Sequence, residues 1–375
     1  MNSPGTQAPS AAGFQVAPPA DRLHLSSEAF RCYTTGMRAL IIGGTRNLGP
    51  SLVTALLQAG YETSVFNRGK TPAVLPRQVE RLCGDRGDPQ VLRAVLGKRE
   101  FELVVDTTLY TGRDAEPIVD LLLNRTGRYI FISTGQVYLV RVGPKRPYRE
   151  EDYAGPVMPA PPQSAAYDYD NWVYGIEKRA AEDVLMRGWA ERRFPVTTLR
   201  LPMVNSEHDH FNRIYGYYLR LRDGGPILIP EGPGLPLRHV YGEDVVQAVL
   251  RLAGTSLGLG RAYNISQDET LSLEAFLGKL AHLANAQSRV VRIPRERLNQ
   301  LSLLPACSPF SGTWMSVLDN ARSVTELGMK YTPFDECLDK LVRFFESSPE
   351  RQIEAYTQRA LELKLAAESA GTTSA

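Results

Sequence analysis

The chain has 375 residues, 43% of them hydrophobic and 22% charged, with Lys+Arg 43 against Asp+Glu 41 and a formal charge of +2. At roughly 150 residues per domain, this length suggests two or three units with enough core to need no disulfide or metal staple. The near-balance of charge excludes a chain-wide basic field, so nucleic acid is not an expected partner.

Residues 1–36 are rich in Pro, Ala, Ser and Gly, show no periodicity, and are expected to be a disordered extension. They lack the basic start and apolar stretch of a secretory signal. Met37, directly before the first apolar run, is a candidate for the true start. From there the pattern changes. Arg38–Ile42 reads as a buried parallel strand and Leu48–Ala59 as an amphipathic helix stopped by Gly60. Glu62–Phe66, Val79–Cys83, Glu102–Asp106 and Arg128–Ser133 read as strands, with helices at Asp88–Leu96 and Ala115–Leu123. This alternation predicts an α/β fold, a doubly wound parallel sheet of the Rossmann type, over residues 37–205.

Gly143–Gln163, dense in proline, is expected to be a loop or lid over a pocket. A long helix at Asn171–Trp189 and a strand at Pro195–Leu201 follow. Residues 206–348 are then expected to form mainly a smaller, irregular substrate-binding unit, with the stretch 238–266 returning to the sheet. Its helices fall at Glu243–Ala253, Leu273–Ala286 and Phe334–Ser347, and residues 349–375 read as a polar terminal helix, from Glu350 to Ala367, and a tail.

Between the first strand and helix stands Gly43-Gly44-Thr45-Arg46-Asn47-Leu48-Gly49. A glycine turn there brings the backbone close to a pyrophosphate, the helix N-terminus offers free N–H groups, and Gly49 permits close packing. Position after the first strand is what lifts this motif above an ordinary turn. A dinucleotide site usually places an acid at the end of the second strand for the ribose hydroxyls. Here Asn67, Arg68 and Lys70 stand instead, with Arg46 in the glycine turn. Guanidinium groups match a 2′-phosphate, so NADP is favoured and NAD remains open.

Tyr174 and Lys178 share a helix face at i,i+4 spacing. An ammonium there is expected to draw the phenol towards the working pH range, with Thr134 as a third group holding a substrate oxygen. Gly175 inside the helix marks close approach by a neighbour.

These motifs, with Ile132-Ser133-Thr134-Gly135-Gln136-Val137-Tyr138, resemble those of the NAD-dependent epimerase/dehydratase family, the extended short-chain dehydrogenases, over about residues 37–345. Gly43-Gly44-Thr45-Arg46, the strand end Val105-Asp106-Thr107-Thr108 and Asp170-Asn171-Trp172-Val173-Tyr174-Gly175 are similar to an atypical branch that includes chloroplast stem-loop-binding proteins. The resemblance implies that Gly43, Thr45, Arg46 and Leu48 line the pyrophosphate, Asp85 the adenine, and Thr107 the path to the nicotinamide. It implies that Thr134 and Tyr174 contact the reacting oxygen, that Lys178 holds the nicotinamide ribose, and that Pro202 and Val204 flank the carboxamide. Dehydratases of the family carry an Asp-Glu pair after the Thr. Gly135-Gln136 cannot titrate, so elimination of water is disfavoured, and Asn205-Ser206-Glu207 replaces the Tyr-Gly-Pro segment of many sugar-nucleotide epimerases.

The expected function is therefore an NAD(P)-dependent oxidoreductase acting on a small-molecule ketone or its alcohol, with Tyr174 as general acid and base. A nucleotide-sugar epimerase with retained cofactor, and a non-catalytic RNA-binding relative, are the alternatives. Cys32, Cys83, Cys307 and Cys337 form no CxxC pair and read as reduced thiols of a cytoplasmic protein. No stretch of about 18 apolar residues is present, so no membrane span is expected. No metal site is expected: Glu207-His208-Asp209-His210 has no third distant ligand cluster and reads as a solvated loop. His239 faces either the substrate or a hydrogen-bonded surface, and a homodimer stays open.

Overall fold

The computed structural model describes residues 36–349 and 351–372. The expected disordered extension before Gly36, Cys32 within it, and the last three residues of the expected tail lie outside the described residues. Seven strands form one parallel sheet: β1 (Arg38–Ile42), β2 (Glu62–Asn67), β3 (Glu80–Cys83), β4 (Leu103–Asp106), β5 (Tyr129–Thr134), β6 (Val196–Leu201) and β10 (Arg261–Asn264), in the order β10-β6-β5-β4-β1-β2-β3. The order reverses at β1, with β2 on one side and β4 on the other. That reversal opens a crevice at the carboxyl ends of the strands, where such sheets bind ligands.

The sheet's strands are apolar because helices cover both faces. On one face, α1 (Leu48–Gln58) buries Leu52, Val53 and Leu56 in the same cluster as Ile41 and Val105. On the other, α2 (Pro89–Leu96), α3 (Gly112–Leu122) and the long α5 (Ala166–Arg192) bury Leu92, Ile118, Ala181 and Leu185 with Leu40, Val104 and Phe131. A one-turn helix, α4 (Gln136–Leu139), follows β5.

Beyond β6 the chain builds a second apolar cluster from α6 (Arg213–Arg222), α8 (Leu273–Leu283) and α11 (Phe334–Ser347), whose interior holds Tyr217, Phe276, Phe310 and Leu338. Two small parallel pairs accompany it: β7 (Val204–Asn205) with β9 (Val240–Tyr241), and β8 (Ile227–Pro230) with β11 (Val290–Ile293). Helix α7 (Gly242–Leu252) packs back with α1 in the sheet's own core, and β10 adds to the edge beside β6.

Two expectations change at this level. The proline-dense segment, expected as a loop or lid over the pocket, supplies no residue to the cleft lining. Instead Tyr148 is buried with Val137, Tyr138 and Leu318, and its backbone exchanges hydrogen bonds of 2.8 Å with Val317 and Asp319. The terminal helix also starts later, at Arg359 rather than Glu350, after a 3-10 turn at Glu354–Tyr356. It is polar by composition but docks through buried charges: Glu362, 1% exposed, accepts from Arg220 at 2.5 Å and from Arg359 at 2.9 Å. Charged residues at helical spacing look solvated in sequence because their partners, such as Arg220, lie far along the chain. Removing one member of such a buried pair strands the other. Glu362→Ala should therefore lower the unfolding free energy by about 3–5 kcal/mol, measured by urea denaturation, whereas Glu368→Ala, an outward pair member on the same helix, should change it by less than about 1 kcal/mol.

Candidate active site

A cleft of about 980 Å³ runs along the carboxyl ends of β1 to β6. Its lining brings together Gly43, Gly44, Thr45, Arg46, Asn47, Leu48, Arg68, Asp85, Thr107, Thr134, Tyr174, Lys178, Pro202 and Val204. Gly49 stands just behind them: a Cβ there would lie 2.4 Å from the Gly44 carbonyl carbon. The turn closes on itself only because both residues are glycine. Gly43 is equally confined, since a Cβ would fall 2.2 Å from the Thr107 hydroxyl, and its φ of 110° is one that L side chains rarely adopt. Helix α1 begins at this turn with no side-chain cap and no acidic residue in its first turn. Asn47 N is bonded to the His208 carbonyl and Gly49 N to that of Arg46, and the positive dipole end of the helix is left for an anion.

At the end of β2, Asn67 occupies the place of a ribose-binding acid. Its amide donates to the Gly43 carbonyl at 3.0 Å and accepts from Gly69 N at 2.9 Å, so it braces the turn. Arg46, Arg68 and Lys70 are exposed around it. Sequence reasoning missed Arg86, which lines the same end. It donates to Asp106 at 2.8 Å, while its Nε and Nη2 are buried without a partner. A ligand acceptor at that end would complete it. The Gly84-Asp85-Arg86 stretch gave no signal for this, because the buried Asp106 that captures the guanidinium comes from β4.

At the other end of the cleft, β5 delivers Thr134 and α5 delivers Tyr174 and Lys178. Helix α5 can approach because Gly175 is bare; a Cβ there would meet the Gln136 carbonyl at 2.9 Å. Lys178, 3% exposed, donates to the carbonyls of Ile132 and Leu109 at 2.8 and 2.9 Å. It also lies 4.1 Å from the Phe131 ring centroid. Loss of solvation pushes its pKa down to about 7, against the pull of Asp106 and Glu182. Tyr174 departs from expectation. Although 36% of its surface is open, loss of solvation and then the neighbouring Tyr110 push its phenol up to about 12, and the hydrogen bond with Thr134 only partly opposes this. The phenol therefore keeps its proton at neutral pH and is poised as a donor. The sequence argument considered only the ammonium and left out the desolvation of both groups.

Other sequence candidates take structural roles. His239 is buried, edge-on to Phe310 and 3.2 Å from the Asn205 amide, and does not line the cleft. Glu207 accepts from Tyr241, Asp209 pairs with Arg213 at 3.1 Å, and His208 lies edge-on to Phe344. The chain also adds wall residues that carried no sequence signal, Tyr110, Tyr167 and a strap at 309–316, together with Asn171 of the motif before Tyr174.

The glycine turn supplies a direct test. Gly49→Ala should weaken dinucleotide binding at least about tenfold, since the cradle must open to admit the methyl group, while the far-UV circular dichroism spectrum keeps its shape. Calorimetric titration of the variant against the unaltered protein checks this.

Residues 39–266 match the model of the NAD dependent epimerase/dehydratase family. The chain is 22% identical over 264 residues to 2′-dehydrokanamycin reductase of Streptomyces kanamyceticus, a match covering 69% of this chain and 70% of that one. It is 31% identical over 132 residues to the chloroplast stem-loop binding protein of 41 kDa b of Arabidopsis thaliana, covering 32% of this chain and 34% of that one. Its fold superposes with a TM-score of 0.66 on the NAD complex of dTDP-glucose 4,6-dehydratase from Bacillus anthracis, at 14% identity over 83% of this chain and 97% of that one. The family match, spanning the glycine cradle and the Tyr174–Lys178 helix and covering more than half its length, makes this chain a member of the NAD-dependent epimerase/dehydratase family.

Proposed function

We propose that the protein is an NAD(P)-dependent reductase of a small-molecule ketone, able to run in reverse on the alcohol. The observation that carries this is the meeting of Thr134 and Tyr174 in one cleft with the glycine cradle, above a buried Lys178. When bound, the cofactor supplies or accepts the hydride. Tyr174 gives its hydroxyl proton to the carbonyl oxygen as the carbonyl carbon is reduced, and Thr134 holds that oxygen by a hydrogen bond. Lys178 would steady the developing phenolate and hold the ribose of a bound dinucleotide. The carboxylates lining the cleft are Asp85 and Asp114, and Asp114 is close enough to raise the Arg86 pKa. None stands beside Thr134 to remove a substrate proton, which favours plain carbonyl reduction over elimination. The name of one relative, 2′-dehydrokanamycin reductase, points the same way.

For the cofactor we infer a preference for NADP. Asn67 is engaged with the glycine turn, and the exposed side chains around the ribose position are the cations Arg46, Arg68 and Lys70. Arg68→Ala should weaken NADP by about 1–3 kcal/mol more than NAD, the range of a lost charged hydrogen bond. Titrating both cofactors against both proteins decides it, and an equal loss, or a native preference for NAD, would reject the inference.

Two measurements test the reaction. Tyr174→Phe should lower turnover at least about 100-fold with the fold intact. The direction of the pKa shift adds a pH signature. Reduction uses the protonated phenol that burial preserves, whereas oxidation needs the phenolate, so alcohol oxidation should climb from about pH 7 to 10. An oxidation rate flat over that range, or sugar-nucleotide turnover with tightly retained dinucleotide and no net redox change, would hand the assignment to an epimerase or to another proton acceptor.

A further inference from the structure

Thr134 is followed by Gly135, and the reason lies far along the chain. A Cβ built on Gly135 would fall 2.2 Å from Ser316 Oγ and 2.5 Å from Ser316 Cβ. No side chain fits at position 135 while Ser316 holds its place. Ser316 therefore occupies the space beside Thr134 that a side chain at position 135 would otherwise fill.

The strap that carries it is firmly seated. Trp314 Nε1 donates to Asp168 at 2.8 Å, and Arg146 Nε donates to the Met315 carbonyl at 2.9 Å. Just beyond, Tyr148 N donates to the Val317 carbonyl and Leu318 is fully buried. The Arg146–Tyr148 stretch belongs to the proline-dense segment, which thus acts as a buttress. Ser316 itself is half-buried and lines the cleft with Thr134, Gln136 and Tyr174. Among the described residues none is hydrogen-bonded to its hydroxyl, although its neighbours on both sides are tied down. An unpartnered hydroxyl on a seated strap, carried by a residue that lines the cleft, is available to a ligand.

The surroundings limit what that ligand is. The cleft that Ser316 lines also holds the uncharged side chains of Gln136, Tyr167, Asn171, Met203 and Trp314. The exposed cations lie at the glycine-turn end; at the reacting end the Lys178 ammonium is turned to the Ile132 and Leu109 carbonyls, and Arg213 is paired with Asp209 at 3.1 Å. An uncharged, hydrogen-bonding, partly aromatic wall suits a neutral hydroxylated ring rather than a phosphorylated group.

We propose that Ser316 is a specificity-determining residue that hydrogen-bonds a hydroxyl on the carbon next to the carbonyl, and that the substrate is an uncharged α-hydroxy ketone. This rests on the ketone-reductase reading above. Ser316 shapes which ketone is accepted, while Thr134 and Tyr174 serve any ketone.

The test compares 2-hydroxycyclohexanone with cyclohexanone as probes, using the full chain with reduced cofactor. The unaltered protein should prefer the hydroxy ketone at least about tenfold in kcat/KM, because a site built to bond a hydroxyl rejects the analogue without it. Ser316→Ala should lower kcat/KM for 2-hydroxycyclohexanone about tenfold more than for cyclohexanone, at an unchanged melting temperature. Equal effects on the two ketones would overturn the proposal. A turnover-free arm separates it from the reductase reading: binding of trans-1,2-cyclohexanediol and of cyclohexanol to protein saturated with oxidised cofactor, followed by calorimetry. Diol binding that Ser316→Ala weakens selectively, with neither ketone reduced, would support the subsite and sink the reductase assignment. Diol binding unaffected by Ser316→Ala, or a phosphorylated probe such as UDP bound tightly in its place, would sink the subsite.

Discussion

The carboxylate of Glu182 is the point about which the reacting end of the cleft is assembled. It is 1% exposed and accepts from Ser133 at 2.5 Å and from Arg200 at 2.6 Å. It thereby pins α5 to the ends of β5 and β6 at once. Tyr174, Lys178 and Glu182 follow one another at i, i+4 and i+8, so fixing the last sets the rotation of the helix and the aim of the other two. A buried charge is tolerated only when fully partnered, and partial satisfaction would be worse than an apolar core. Arg200 meets that requirement by also donating to Tyr138 at 2.9 Å and lying 4.3 Å from the Tyr153 ring centroid. Tyr138 passes the network on to Asn264 of β10 at 2.7 Å.

This network explains why the sheet, the long helix and the proline-dense segment behave as one support. Glu150, in that segment, accepts from Asn264 N at 2.8 Å. Asn264 in turn donates to the Tyr148 carbonyl at 2.9 Å. The segment is therefore held from beneath by β10 while it holds the strap from its other side. Proline restricts its backbone, and that stiffness suits a buttress behind the strap.

The cleft has two electrostatic characters. At the glycine turn, exposed cations and an uncapped helix end favour anionic groups. At the reacting end desolvation by burial lifts the Tyr174 phenol to about 12 and lowers the Lys178 ammonium to about 7. Both shifts have the same origin, since burial disfavours whichever form is charged. A neutral phenol beside a weakened ammonium is a resting pair ready to lose a proton to a substrate and to be steadied afterwards.

The sequence by itself determined the sheet, the glycine turn and the Tyr174–Lys178 pair, because each depends on local periodicity or spacing: apolar runs for buried strands, glycines where backbone meets backbone, and i,i+4 placement on a helix. It also located Thr134, since a strand end must deliver its residues to the crevice. Only the tertiary structure decided the rest. Arg86 became a cleft residue through Asp106 of another strand, and the terminal helix became a docked element through Arg220. Gly135 proved to be a position kept bare by Ser316, which lies far along the chain. The phenol's pKa went the opposite way to the pairwise expectation, because desolvation depends on everything packed around a group. These features arise from contacts between distant segments and from the exclusion of water, and neither leaves a period or a spacing in the chain.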